Sequence, residues 1–146
     1  MPDWLSERSI LLFLHIGTAI LFLGPATVAT SLFPRYAQAG DVPVGRLLNR
    51  VSNVYGLLSI LVAVFGIVLA ARYSLFSELW VSLSFVLFIV AGVLLVAVIE
   101  PGQRRALRAM EAGSLDRAAV APLRAASGGF ALAWIVILFL MVAKPG

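Results

Sequence analysis

The sequence contains no cysteine and only one histidine among its 146 residues. The first absence excludes disulfides, thiolate metal sites and cysteine nucleophiles. The second excludes a haem held by two histidines of one chain, and it leaves a zinc ion short of the several N, S or O ligands it needs. Charge is scarce too: 12% of residues are charged, against roughly a quarter in an ordinary soluble domain. What charge there is avoids four long runs, and no acid lies inside any of them. The runs therefore lack the paired carboxylates of acid–base catalysis. No catalytic residue and no metal ligand set is assigned.

What is abundant is apolar, at 62% of residues. The uncharged runs, Ser9 to Phe33, Val51 to Ala71, Leu79 to Ile99 and Ala125 to Ala143, hold 19 to 25 residues each. About 20 residues of helix cross a hydrocarbon layer roughly 30 Å thick. Unpaired backbone groups are not tolerated in lipid, and the runs lack the alternation of a transmembrane strand, so they are predicted to be helices. The expected fold is an all-α membrane protein: one domain over 1–146, an antiparallel bundle with spans at about 9–33, 51–71, 79–99 and 125–143. The flank MPDWLSER has no basic excess and the first run is too long for a cleavable signal. Four spans in one bundle are therefore expected of the chain as it stands.

Basic residues divide unevenly between the two ends of such a bundle. The loops after spans one and three carry Arg35, Arg46, Arg50, Arg104, Arg105, Arg108, Arg117 and Arg124, whereas the other side has Arg8, Arg72 and Lys144. The positive-inside rule puts the arginine-dense loops in the cytoplasm and both termini outside. Basic residues beside spans meet anionic headgroups, so the net charge of +4 indicates membrane lipids and not nucleic acid as the partner. In the last loop Pro101 is expected to end span three. Arg104, Arg105 and Arg108, alternating with Ala106, Leu107 and Met110, predict a short amphipathic helix at about 103–112 on the inner surface, stopped by Gly113. These three arginines are candidates for holding lipid headgroups or a protein partner. Ser114 is expected to cap a further short turn before Pro122 opens span four. The first loop, PRYAQAGDVPVGRLLNR, reads as irregular.

Small residues mark where helices approach one another in lipid. Ser52, Gly56, Ser59, Ala63, Gly66 and Ala70 recur every three or four positions along span two, which predicts one continuous packing stripe. Gly24 and Pro25 predict a kink in span one, because proline lacks the amide hydrogen that the Leu21 carbonyl needs. Leu21 and Ser59 both fall about 18 Å from the outer boundary on the 1.5 Å rise, so the Ser59 hydroxyl is a candidate donor. No internal repeat is evident, since the span-two stripe does not recur in span four.

His15 lies about 9 Å below the outer boundary on the same rise. It shares a helix face with Thr18, Ala19 and Phe22 and is expected to point inward, at the depth of Gly66 and Ser84. A neutral imidazole there pairs with Ser84 or with a nearby carbonyl, and the functional alternative is a ligand or proton carrier. Trp134, at the centre of span four, is either a filler whose indole N–H finds a carbonyl or the wall of a lipid or quinone pocket.

The words LLFLHIGTAILFLGP, TSLFPRYA and, after span three, EPGQRRALR, in that order, resemble the small bacterial membrane proteins grouped as domain of unknown function 2269. The likeness covers nearly the whole chain. It implies a four-helix protein of the bacterial inner membrane and brings no activity with it. A looser likeness, carried by His15 alone, is to the membrane protoporphyrinogen oxidase and the copper-resistance membrane domain. The oxidase pairs its histidine with a lysine of span three, and this span three has none.

Three functions are therefore in play. The leading expectation is a non-enzymatic accessory or assembly partner of the bacterial cytoplasmic membrane, alone or as a homo-oligomer. The alternative is a haem- or quinone-binding redox protein using His15. The third is a small transporter or channel built as an oligomer. The cofactor is left open, with haem admitted.

Overall fold

Each uncharged run becomes part of a longer helix. In the computed structural model, which describes residues 2–146, four helices carry the chain: α1 (Glu7–Gln38), α2 (Val42–Arg72), α3 (Leu79–Glu111) and α4 (Arg117–Ala143). All four are long and apolar enough to cross a membrane. They run antiparallel in sequence order, and the described residues form no strand. At 27 to 33 residues they measure roughly 40 to 50 Å. The surplus beyond the apolar runs lies mainly at the Arg-rich end, where all four helices project as a folded head.

Two prolines explain how the helices reach that length. Pro101 was expected to end span three, yet α3 continues through it to Glu111. A proline ring crowds the carbonyl four residues back and offers it no hydrogen. A π-helical turn at Leu94–Ile99 widens the helix just before Pro101 and absorbs the misfit. Gly24–Pro25 in α1 is preceded by the same device at Ala19–Leu23. The expected helix at 103–112 thus forms as the last turns of α3 and not as a separate element on a lipid surface. Its apolar face is covered by protein: Ala106, Leu107 and Met110 pack with Phe33 and Ala37 of α1, Val42 and Leu48 of α2, and Val120 and Leu123 of α4.

The first loop is also shorter than its composition suggested. Only residues 39–41 leave the helix. Gly40, at φ +70°, ends α1 with the Asp41 amide returning to the Tyr36 carbonyl at 3.1 Å. Asp41 then caps α2 by accepting from the Val44 amide at 3.2 Å, and Pro43 occupies the first turn, where its missing N–H is no loss. The turn between α3 and α4 repeats this punctuation. Gly113 sits at φ +69°, the Ser114 amide returns to Ala109 at 2.8 Å, Asp116 caps through the Ala118 amide at 3.0 Å, and Pro122 follows. The cap is therefore Asp116 and not Ser114, whose hydroxyl donates back to the Ala109 carbonyl. In order, π-turn, proline, left-handed glycine, aspartate cap and a proline opening the next α-helical stretch occur in both halves of the chain, the second with a 3-10 turn at Arg117–Val120 between cap and proline. This repeat is invisible to a comparison of small-residue stripes.

The molecule is thus two helical hairpins, α1–α2 and α3–α4. Close approaches between hairpins are concentrated at the Arg-rich half, where α1 beyond Gly24 meets α4 and the start of α2 meets the end of α3. A second core joins Ala91, Leu95 and Ile99 of α3 to Ala126, Phe130 and Ala133 of α4. The α2 stripe serves two neighbours and not one. A Cβ on Gly56 would come within 2.7 Å of Leu95 in α3, while one on Gly66 would come within 3.0 Å of His15 in α1. Ser52, Ser59 and Ala70 are buried, and Ala63 is half-buried.

Candidate functional site

His15 is held against α2. Its Nδ1 lies 2.8 Å from the Val62 carbonyl oxygen, and because that oxygen can only accept, Nδ1 carries the proton. The ring rests on Gly66, whose missing side chain makes room for it. Of the two partners considered for the imidazole, the carbonyl is the one it has. Ser84 belongs to the other hairpin and donates to the Trp80 carbonyl at 2.7 Å. In the neutral ring Nε2 keeps its lone pair, and it forms no hydrogen bond among the described residues. A ring fixed through Nδ1–H to a carbonyl, with Nε2 free, is the posture in which histidine ligates metals. No group of three His, Cys, Asp or Glu able to share an ion occurs among the described residues.

The link expected between Ser59 and the kink of α1 does not form. The Ser59 hydroxyl donates to the Gly56 carbonyl of its own helix at 2.5 Å, where α2 loses its regular turn between Leu58 and Ile60. Leu21 is 62% exposed.

Trp134 projects from α4 and meets Phe88 and Phe130 edge to face, with centroids 5.6 and 5.9 Å away. Its Nε1 is buried and has no hydrogen-bond partner, so it is not the carbonyl-bonded filler that was expected. It lines a cleft of about 530 Å³ between the hairpins, together with Ser52, Asn53 and Ser59 of α2 and Phe88 and Gly92 of α3. The Oδ1 of Asn53 is likewise buried without a partner.

Sequence reasoning overlooked the polar residues at the Arg-rich end of this cleft. Asn49 donates through Nδ2 to Gln103 Oε1 at 2.9 Å, and Gln103 Nε2 lies 3.4 Å from Ser52 Oγ. Gln103 is 1% exposed. Placing the end of span three at Pro101 had put Gln103 at the start of a separate surface helix. A signal was available on α2, because Asn49, Ser52 and Asn53 stand at positions i, i+3 and i+4 and so share a face.

The head carries the charge. Arg35, Arg46, Arg50, Arg104, Arg105, Arg108, Arg117 and Arg124 are all exposed there, against the four acids Asp41, Glu100, Glu111 and Asp116. The three basic residues of the opposite end are matched by Asp3, Glu7 and Glu78, so the head accounts for the whole net charge of +4. Arg104 pairs with Glu100 at 2.8 Å and Arg46 with Glu111 at 2.7 Å. Arg104, Arg105 and Arg108 line one shallow depression with Pro101. No family model, no curated protein and no solved structure matches the chain.

Proposed function

We propose that the chain is a multi-pass protein of the bacterial cytoplasmic membrane, with both termini outside, and that it works as a non-enzymatic accessory or assembly partner of another membrane protein. The observation that carries this reading is the head. Its arginines stand on four helices locked by one apolar core, and a pre-ordered surface loses less entropy on docking than a mobile loop. An excess of four positive charges on such a platform suits an acidic partner face, and the field around it speeds encounter. The resemblance to domain of unknown function 2269 agrees with the four-helix inner-membrane reading.

Affinity purification in several mild detergents tests it. A stoichiometric companion is expected, and it should be lost when Arg104, Arg105 and Arg108 are all changed to Glu while the helical spectrum is retained. Recovery of the wild-type protein alone in every detergent, or with phospholipid only, refutes a protein partner. A tag found protected inside the cell at either terminus refutes the orientation.

A second reading, a haem protein ligated by His15, is favoured by the free Nε2. It requires a Soret band in the purified protein that His15→Ala removes, and a colourless preparation from haem-replete cells ends it.

A further inference from the structure

The cleft between the hairpins is independent of both the arginine head and the His15 niche. Leu57 and Ile60 of α2 and Ile89, Val93 and Val96 of α3 line it and are 53 to 69% exposed, so it opens sideways onto the apolar flank of the bundle. Its interior differs from that rim. Asn53 Oδ1 is an acceptor without a donor, and Trp134 Nε1–H is a donor without an acceptor. Leaving such a group unpaired is costly, and two among the residues lining one cleft, Asn53 on α2 and Trp134 on α4, mark a place where a bound molecule supplies what the protein does not. The nearby Ser59 hydroxyl spends its one hydrogen on the Gly56 carbonyl and so cannot donate to Asn53 Oδ1.

We propose that this cleft binds a lipid-phase molecule with a carbonyl- or hydroxyl-bearing aromatic ring on a hydrocarbon tail, the chemistry of a quinone and its quinol. With the Trp134 ring turned so that its N–H, buried in this structure, reaches the cleft, the indole donates to a ring oxygen. Asn53 accepts from a ring hydroxyl through Oδ1 or, with the amide turned over, donates to a ring carbonyl, so both redox forms are held. Phe88 and Trp134 offer aromatic contact beside those groups, which favours a planar ring over a glycerol ester. The volume of about 530 Å³ is that of an ordinary small-molecule site. The tail leaves through the aliphatic mouth.

Gly92 supplies the means of testing this. A Cβ added there meets nothing within 4 Å, so Gly92→Leu projects into the cleft without a clash at its root. Trp4→Phe with Trp80→Phe leaves Trp134 as the sole indole of the three. In phosphatidylcholine nanodiscs, decylubiquinone should quench Trp134 emission to saturation. Gly92→Leu should abolish the saturable component. Asn53→Leu should weaken binding about tenfold, as expected for one lost hydrogen bond. Far-UV circular dichroism and a monodisperse elution profile check both folds, and Asn53→Leu carries the test if Gly92→Leu fails to fold. Quenching that rises linearly with quinone and is unchanged in the folded variants is partitioning into lipid and overturns the proposal. So does displacement of the quinone by dioleoylglycerol at equal bilayer fraction, which would make the occupant a lipid ester. The arginine variants of the head should leave the quenching curve unchanged, which separates this site from partner docking.

Discussion

Gly102 is the position where one methyl group tests the packing of the head most directly. It is buried where α3 crosses α4, and a Cβ there would lie 2.6 Å from Leu123 Cδ2 and 3.2 Å from its Cγ. Ordinary carbon contacts begin near 3.4 Å, so the end of Leu123 must retreat by roughly 1 Å. It has little freedom to do so, being 4% exposed and packed with Phe33, Leu107 and Val120. Overpacking of this kind costs about 1 to 3 kcal/mol, while replacing a helical glycine by alanine returns up to about 1 kcal/mol. Gly102→Ala should therefore be destabilising by at most about 3 kcal/mol, less whatever the helix propensity returns. Gly128→Ala is the control, because its Cβ meets nothing within 4 Å and only the favourable propensity remains. Unfolding of both variants by sodium dodecyl sulfate from maltoside micelles, followed by circular dichroism, measures the difference. A double-mutant cycle with Leu123→Ala should render Gly102→Ala neutral or favourable, a coupling of about 1 kcal/mol or more. Equal stabilities for the two glycine variants, or a cost at Gly102 that persists without the Leu123 side chain, would refute the crossing of α3 and α4 described above.

Other expectations follow from single contacts. Gln103→Leu removes the acceptor of Asn49 and the neighbour of Ser52, and should destabilise the same unfolding transition by about 1 to 2 kcal/mol. Gly40→Ala and Gly113→Ala, each at a left-handed φ, should cost about 1 kcal/mol apiece and by similar amounts. Unequal losses in matched denaturation curves would deny that the two turns are equivalent. Arg72→Ala breaks an exposed pair with Glu7, and its transition midpoint should barely move.

The apolar runs made the four helices legible, because backbone pairing in a waterless layer leaves no other option for them. Their ends were not legible in the same way. Pro101 read as a breaker, since proline usually is one, and Pro34 as the first residue of an irregular loop, but α3 runs on behind a π-turn ahead of Pro101 and α1 runs on with Pro34 buried inside the head. The error then spread to Gln103, which is a core residue only if α3 continues. His15 was placed by depth, a simple product of residue count and rise, level with Gly66 and Ser84, and it is Gly66 on which its ring rests. Its bond to the Val62 carbonyl was one of two options that depth alone could not separate, since the choice depends on which hairpin each helix joins. Trp134 showed as an oddity of composition. Its unpaired indole and the orphaned oxygen of Asn53 become visible only once the gap between the hairpins exists.

The doubled turn signals make each pair of rods self-sufficient at its bend. Everything needed to stop one rod, reverse direction and start the next is written twice, at Gly40 to Pro43 and at Gly113 to Pro122. The leading pair of rods also carries its own closing contacts at the end away from the head, with Arg72 joined to Glu7 and Arg8 seated over Tyr73. Only the head draws on both pairs, through one apolar core shared by all four rods, so the arginine platform exists only where both pairs are folded together.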